Sequence, residues 1–345
     1  MNRNGLGSRL RGLTLAAVVA SVGVVGVAAC GGSSDGEGGG KVDLVAFSTP
    51  QQAFEEGIIP AFKETDAGKG STVSTSFGAS GDQRRAVEAG QPADVVDFSL
   101  EPDMQALVEA KIVPSDWNRN EYDGIVTNSV VVLMVRPGNP KDIKGWDDLT
   151  REDVEVVQPN PATSGGAKWN VMAMYGSQVK QGKSEQQALD FVADVFANTS
   201  VLDDSARDSL QTFSTGKGDV LIGYENEALQ AKDEGIELEY LVPEGEATIR
   251  IENPAAVTAK AQDPATAKAF LDFLWSEEGQ RIFADYGYRP VNENVIDETT
   301  TKFPEPSELF TISEFGGWSK VDAEFFDDTN GKVTQILREQ GRPLE

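Results

Sequence analysis

The stretch Asn160-Pro161-Ala162-Thr163-Ser164-Gly165-Gly166-Ala167-Lys168-Trp169-Asn170 is the most informative in the chain. Ahead of it stands Val154-Glu155-Val156-Val157, which reads as a strand, and from Trp169 onward the sequence turns apolar. A strand that breaks into Ser-Gly-Gly and then enters a helix presents several backbone N–H groups with no intrahelical partner. With the positive end of the helix dipole behind them, those donors form an anion site. Glycine carries no Cβ, so a ligand oxygen can approach the main chain closely. Taken alone, Ser-Gly-Gly equally describes a plain helix start, and the rest of the chain has to decide.

Three further segments share this loop-to-helix character. Phe47-Ser48-Thr49-Pro50 follows a first strand, with Pro50 placed to open a helix. Gly78-Ala79-Ser80-Gly81-Asp82-Gln83 follows the strand candidate Thr72–Phe77, and Asp203-Asp204-Ser205-Ala206-Arg207-Asp208 precedes a helical stretch through Leu210 and Phe213. In open α/β sheets ligands sit beyond the carboxyl ends of the strands, where such loops gather. Four of them in one chain exceed what an isolated turn would supply.

The remaining strand candidates are Val42–Phe47, Asp94–Phe98, Ser129–Val135 and Asp219–Tyr224. Amphipathic stretches alternate with them, which points to an α/β fold. The clearest is Ser184 to Asn198, with Ala188, Phe191, Val192, Val195 and Phe196 at helical spacing and Ser184 with Gln187 as a capping box. Another helix is expected after Asp263-Pro264, with Phe270, Phe273 and Leu274 on one face. Residues 41–345 suffice for two lobes. Two extended segments, Asn128–Val135 and Leu241–Val257, are suited to crossing between them. That predicts discontinuous lobes joined by hinge strands, with a cleft between.

The N-terminus is read as an export signal. Arg3, Arg9 and Arg11 precede an apolar run of 17 residues, Leu13 to Ala29, too short and wrongly flanked for a membrane anchor. It ends Val27-Ala28-Ala29-Cys30, which resembles the bacterial lipobox, whose cysteine becomes the lipid-modified mature N-terminus. Cys30 is the only cysteine, so an intramolecular disulfide is impossible. Residues 31–40, six Gly, two Ser, one Asp and one Glu, form a flexible tether. The expected organisation is a signal at 1–29, an anchored linker at 30–40, lobe I at 41–128 plus 250–290, lobe II at 129–249, and a tail at 291–345 packing on the lobes. The expected location is extracytoplasmic, lipid-anchored to the cell membrane, in the periplasm or at the outer face of the cytoplasmic membrane.

A net charge of −26, which becomes −29 without the three arginines of 1–29, argues against nucleic acid and against docking on anionic lipid by charge. A site of main-chain donors is compatible with that acidity, because overall charge is screened within roughly 8–10 Å. The chain has no histidine, which removes Ser-His-Asp and Cys-His machinery and imidazole metal sites. No catalytic residue, metal or cofactor is therefore expected.

The quoted run resembles the hallmark of prokaryotic sulfate-binding proteins of ABC importers, Asn-Pro-Lys-Ser/Thr-Ser-Gly-Gly-Ala-Arg-Trp-Asn. The similarity extends through Arg136-Pro137-Gly138-Asn139-Pro140-Lys141, Trp146-Asp147-Asp148-Leu149 and Gly218–Ala228, then Ser276-Glu277-Glu278-Gly279-Gln280, Tyr288-Arg289-Pro290 and Phe315-Gly316-Gly317-Trp318. It covers 41–335 in order. The resemblance implies a two-lobed periplasmic-binding-protein fold, type II-like, closing on a dehydrated sulfate held by neutral donors at helix N-termini. Carried over by position, the ligand contacts are Ser80 from one lobe and Ser164, Gly165, Gly166 and Ala206 from the other. Thr49 stands where the family usually has Asp, and Tyr224 where it often has a Trp that donates its indole N–H. Lys168 replaces Arg and keeps the charge without the planar fork, and it is expected behind the contacts or at the surface. The resemblance also implies an ABC permease as partner; the lipobox at Cys30 adds the membrane, and with nothing suggesting an obligate oligomer a monomer is expected.

Sulfate is a full dianion that only accepts hydrogen bonds, whereas phosphate near pH 7 keeps a proton that needs an acceptor. A cleft whose ligand-facing groups all donate leaves that proton unpaired, at about 1–3 kcal/mol. The chemistry expected is therefore sulfate capture, with thiosulfate, molybdate or tungstate as alternatives of the same outline. An extracytoplasmic enzyme or a structural lipoprotein without a small ligand are the distant alternatives.

Overall fold

The computed structural model describes residues 39–243, 246–303 and 305–342. The export signal, Cys30 and the linker up to residue 38 lie outside the described residues.

The chain opens with β1 (Lys41–Phe47), whose burial on both faces marks it as a central strand. A π-helical stretch, Ala53–Ile58, runs straight into α1 (Ile59–Glu64). Then follow β2 (Thr72–Gly78), α2 (Ser80–Glu88), β3 (Val95–Asp97) and α3 (Glu101–Glu109). β1 pairs in parallel with both β2 and β3, in the right order for a helix-connected sheet. β4 (Ile125–Val135) leaves this unit. After it come β5 (Val156–Pro159), α4 (Gly165–Lys180), α5 (Glu185–Asn198), β6 (Thr199–Asp203), α6 (Ala206–Ser214), β7 (Val220–Tyr224) and α7 (Glu225–Asp233). β8 (Glu239–Leu241) and β9 (Thr248–Val257) lead back. α8 (Pro264–Trp275), α9 (Glu277–Asp285) and α10 (Glu293–Thr299) follow, then β10 (Leu309–Phe310), α11 (Trp318–Val321) and α12 (Lys332–Glu339).

The strand order is β2-β1-β3-β9-β4-β7-β5-β6, with β8 on β4 and β10 on β9. β4 and β9 are long and each serves two partners. Val95–Asp97 of β3 pair with Ala255–Val257 at the end of β9. Residues 250–254 of β9 pair instead with Ile125 to Val130 of β4, and from Val131 onward β4 pairs with β7. The molecule is a two-lobed α/β protein with these two antiparallel strands as its crossings.

Each lobe has its own apolar core. Phe54, Phe62, Phe270, Phe283 and Tyr288 pack beside β1 in the first. In the second, Trp169 and Met172 of α4 pack with Trp146, Val192, Phe196 and Ile222. α4 is buried almost all round, as befits a helix hydrophobic on every side. α5 is amphipathic with the expected capping box: Gln187 N–H donates to Ser184 Oγ at 3.3 Å, and Ser184 N–H to Gln187 Oε1 at 2.9 Å. α8 begins at Pro264, with Asp263 accepting from Thr266 N–H. The C-terminal segment joins the second core, where Trp318 meets Trp169 edge-on at 4.6 Å between ring centroids.

Candidate functional site

Three helices, α2, α4 and α6, begin at the carboxyl ends of β2, β5 and β6. Each leaves the N–H groups of its first two residues without an intrahelical partner. In α4 the N-cap Ser164 accepts from Ala167 N–H through Oγ at 3.4 Å, leaving Gly165 and Gly166. In α6 Ser205 Oγ accepts from Asp208 N–H at 3.2 Å, leaving Ala206 and Arg207. In α2 the first residue is Ser80, and Gly81 N–H donates across to the Thr163 carbonyl at 3.2 Å. In α4 and α6 the hydroxyl cap thus serves the third residue and the donors of the first two remain for something else, whereas in α2 only the Ser80 N–H remains.

These starts meet in one enclosed place. A Cβ on Gly166 would stand 3.6 Å from both Ala206 Cβ and Tyr224 Cε1, and 3.4 Å from Ser164 Oγ. Tyr224, the N-cap of α7, places its Oη 2.7 Å from Ser99 Oγ on the facing lobe. Ser99 N–H donates to Ser80 Oγ at 3.1 Å, and the Ser99 carbonyl accepts from Trp169 Nε1 at 2.7 Å. Thr49 completes the ring. Its Oγ1 lies 3.0 Å from Tyr288 Oη, and its carbonyl accepts from Arg207 Nη2 at 3.3 Å. The structure therefore brings Thr49, Ser80, Ser164, Gly165, Gly166, Ala206 and Tyr224 into one neighbourhood, all of them buried. Lys168 points away and pairs with Asp322 at 2.6 Å. A surface cavity of about 810 Å³, bordered by Asp82, Arg85, Thr163, Lys168 and Phe326, lies on the outer side of the seam and includes neither Gly166 nor Tyr224.

Two features add to what the sequence suggests. Gly165 is not needed for ligand approach alone: a Cβ there would come within 2.0 Å of Leu100 Cδ2 and 2.8 Å of Ser99 Cβ. The facing lobe itself occupies that space. Nor is the surrounding free of acceptors. Asp97 and Glu227 are buried close by, each with one carboxyl oxygen lacking a hydrogen-bond partner among the described residues, Oδ1 and Oε1 respectively. Burial pushes the Asp97 carboxyl well above its ordinary range. Burial also pushes Glu227 up to about 7, against the opposing pull of Arg207 and the Tyr224 N–H that its Oε2 accepts at 3.3 Å. The phenols of Tyr224 and Tyr288 are pushed up by burial too, and stay neutral donors.

The hydroxyl of Ser80 is committed elsewhere. It donates to Asp103 Oδ2 at 2.6 Å and accepts from Ser99 N–H at 3.1 Å, so the hydroxyl is already partnered on both sides. Ser99 was missed in the sequence, although Phe98-Ser99-Leu100-Glu101-Pro102 is a fifth strand-to-helix loop with proline in the first turn of α3. That is the same signal that singled out Pro50. Among the described residues no group of three or more His, Cys, Asp or Glu side chains is disposed to hold a metal ion.

A two-lobed α/β body with an enclosed seam of helix N-termini defines a solute-binding architecture. The chain belongs to the bacterial extracellular solute-binding proteins, whose family profile matches residues 42–289. Within that class it is 39% identical to the sulfate-binding protein of Synechococcus elongatus, over 92% of this chain and 94% of the relative. It is 35% identical to the thiosulfate-binding protein of Pseudomonas aeruginosa, over 85% and 90%. Among solved structures, the sulfate-binding protein SubI from Mycobacterium tuberculosis H37Rv superposes with a TM-score of 0.80 at 41% identity, covering 84% of this chain and all of that one.

Proposed function

We propose that the chain captures sulfate between its lobes and delivers it to an ABC permease, acting as a binding protein and not as an enzyme. The observation that carries this reading is the repeated helix start. α2, α4 and α6 each turn unpaired first-turn N–H groups toward one enclosed seam, with Tyr224 and Thr49 hydroxyls beside them. A charge-assisted hydrogen bond contributes about 1.5–3 kcal/mol. Ser80, Gly165, Gly166 and Ala206 through backbone N–H, with Ser164, Tyr224 and Thr49 through hydroxyls, can together offset sulfate desolvation and give micromolar binding, near −8 kcal/mol.

Ligand access requires the lobes to part, because these residues are buried. β4 and β9 are the proposed hinges, between a lobe of residues 41–128 plus 250–290 and a lobe of 129–249, with 291–345 as a tail on both. The proposed setting is extracytoplasmic, with a monomer tethered by lipid at Cys30. Thiosulfate is the second reading, favoured by the 35% identical thiosulfate-binding relative.

The test is thermal unfolding of the full chain with sulfate, thiosulfate, molybdate or phosphate against chloride. At 100 times its dissociation constant, a ligand specific to the folded state adds about 2.7 kcal/mol. A shift with sulfate and not with phosphate is the expected outcome. No shift with any anion would reduce the Ser-Gly-Gly run to a helix cap.

A further inference from the structure

Asp97 is the buried ionisable group that the reading above leaves unused. It ends β3, opposite Ala46 on β1 and Ala255 on β9, so neither register neighbour offers it a charge or a donor. Successive strand residues face opposite sides of a sheet. Val95 packs into the core that contains Phe54, Phe283 and Tyr288, and Val96 into the opposite one, which sets Asp97 on the Tyr288 side. The chain leaving β1 reaches Thr49 three residues after Ala46, and the chain leaving β3 reaches Ser99 two residues after Asp97. The carboxyl thus sits beneath the loops that carry the Thr49–Tyr288 and Ser99–Tyr224 hydroxyl pairs. The charged groups sharing this space are Glu227 and Arg207, and all three are felt at the Tyr288 phenol. Arg207 already serves Thr49 O and Gln230 Oε1 and acts on Glu227, not on Asp97.

A carboxyl that is 2% exposed, with Oδ1 unpartnered, is costly to a fold unless something else meets it. A carboxylate cannot stay charged beside a bound dianion in a site of low dielectric. A neutral carboxylic acid can, because it then offers one O–H donor. We propose, building on the sulfate reading, that Asp97 belongs to the anion site in its acid form and donates to the bound sulfate, so that closure on the ligand takes up one proton from solution.

The sign follows from linkage. If parting the lobes admits water to the carboxyl, it returns toward the ordinary aspartate range; in the closed site burial raises it, and a dianion beside it would raise it further. Proton binding therefore accompanies ligand binding. The advantage is complete below the open-form pKa and is lost as pH rises through the closed-form one.

Titration calorimetry of the full chain with sodium sulfate at pH 6, 7 and 8, each in two buffers of different ionisation heat, tests this. Expected are a heat that depends on the buffer, corresponding to uptake of up to one proton, and a dissociation constant that weakens by up to about tenfold per pH unit. Asp97→Asn keeps an N–H donor of the same shape and, in a Glu227→Gln background that removes the other raised carboxyl of the seam, should bind sulfate with a buffer-independent heat and a flat pH profile. Glu227→Gln serves as the control and should retain the uptake assigned to Asp97. Wild-type binding with no buffer dependence would overturn the inference alone, as would loss of uptake in Glu227→Gln but not in Asp97→Asn. Absence of sulfate binding in every buffer would overturn the sulfate reading, and this one with it.

Discussion

The loop entering α4 and the loop leaving β1 face each other across the same seam but are built on different chemistry. The first offers main-chain donors and a capped third residue, and its Lys168 turns outward to Asp322. The second offers hydroxyls, Thr49 with Tyr288, over two buried carboxyls, Asp97 and Glu227. Backbone dipoles are fixed at any pH, whereas buried acids respond to it. One lobe thus supplies a constant field and the seam around the other supplies a titratable one. Which of the two dominates affinity can be read from substitutions on either side.

The largest effect is expected at Gly165, because a side chain there meets the facing lobe and not its own. Gly165→Ala should leave unliganded stability close to wild type, since its clashes with Leu100 and Ser99 vanish when the lobes part. Closure would then carry about 1–3 kcal/mol of overpacking. With one charge-assisted donor displaced, worth about 1.5–3 kcal/mol, sulfate affinity should fall about a thousandfold. Gly166→Ala has ordinary contacts around its new Cβ and should lose far less. Calorimetry on the two variants decides it, and equal losses would show that ligand approach, not lobe contact, demands both glycines.

Next in size is the pH response of stability on the titratable side. Glu227 rises from 4.5 in the unfolded chain to about 7 in the fold. Below 4.5 both states hold the proton and nothing is lost. Between 4.5 and about 7 the unfolded chain releases it first, and the fold loses about 3 kcal/mol. Glu227→Gln should remove that part of the slope in urea unfolding between pH 5 and 8, while Asp97, also raised, keeps its own part. An unchanged slope would mean that Glu227 keeps its ordinary pKa.

Tyr224→Phe comes third. It deletes the phenol at 2.7 Å from Ser99 Oγ and with it a proposed donor to the anion. Sulfate binding should weaken about tenfold or somewhat more, as for one hydrogen bond to a charged ligand. The variant should unfold cooperatively near the wild-type midpoint, because the ring remains packed. Unaltered affinity would make Tyr224 a lobe-to-lobe clasp only.

The contrast also explains what could be read before the structure. The constant side was visible because Ser164-Gly165-Gly166 and Ser205-Ala206 are local patterns, in which a cap and small residues dictate geometry within one turn. α5 was visible for the same reason, through Ser184 and Gln187. β6 was not, since Thr199 follows Asn198 directly with no Gly or Pro between helix and strand. The titratable side depends on burial from residues far apart in sequence. Asp97 falls in a strand that was recognised, but nothing in Asp94–Phe98 says that its last acid is 2% exposed beneath Tyr288, 191 positions on. Ser99 was in principle readable from Pro102, whereas the closeness of Gly165 to Leu100 and Ser99 was not, because contact between lobes leaves no local trace.

The smallest effect separates helix capping as stability from helix capping as function. Ser205 and Ser184 are both N-caps that accept from the third N–H of their helices, at 3.2 and 3.3 Å. Replacing either with alanine should cost about 1 kcal/mol of global stability. Only α6, however, begins at the seam. In Ser205→Ala the uncapped first turn frays where Ala206 presents its N–H, so sulfate affinity should drop several-fold. In Ser184→Ala the fraying stays on a remote surface and affinity should hold. If both variants bind like wild type while losing the same stability, the first turn of α6 is rigid without its cap. If both lose affinity equally, binding tracks overall stability, and the three helix starts cannot be credited with a local role.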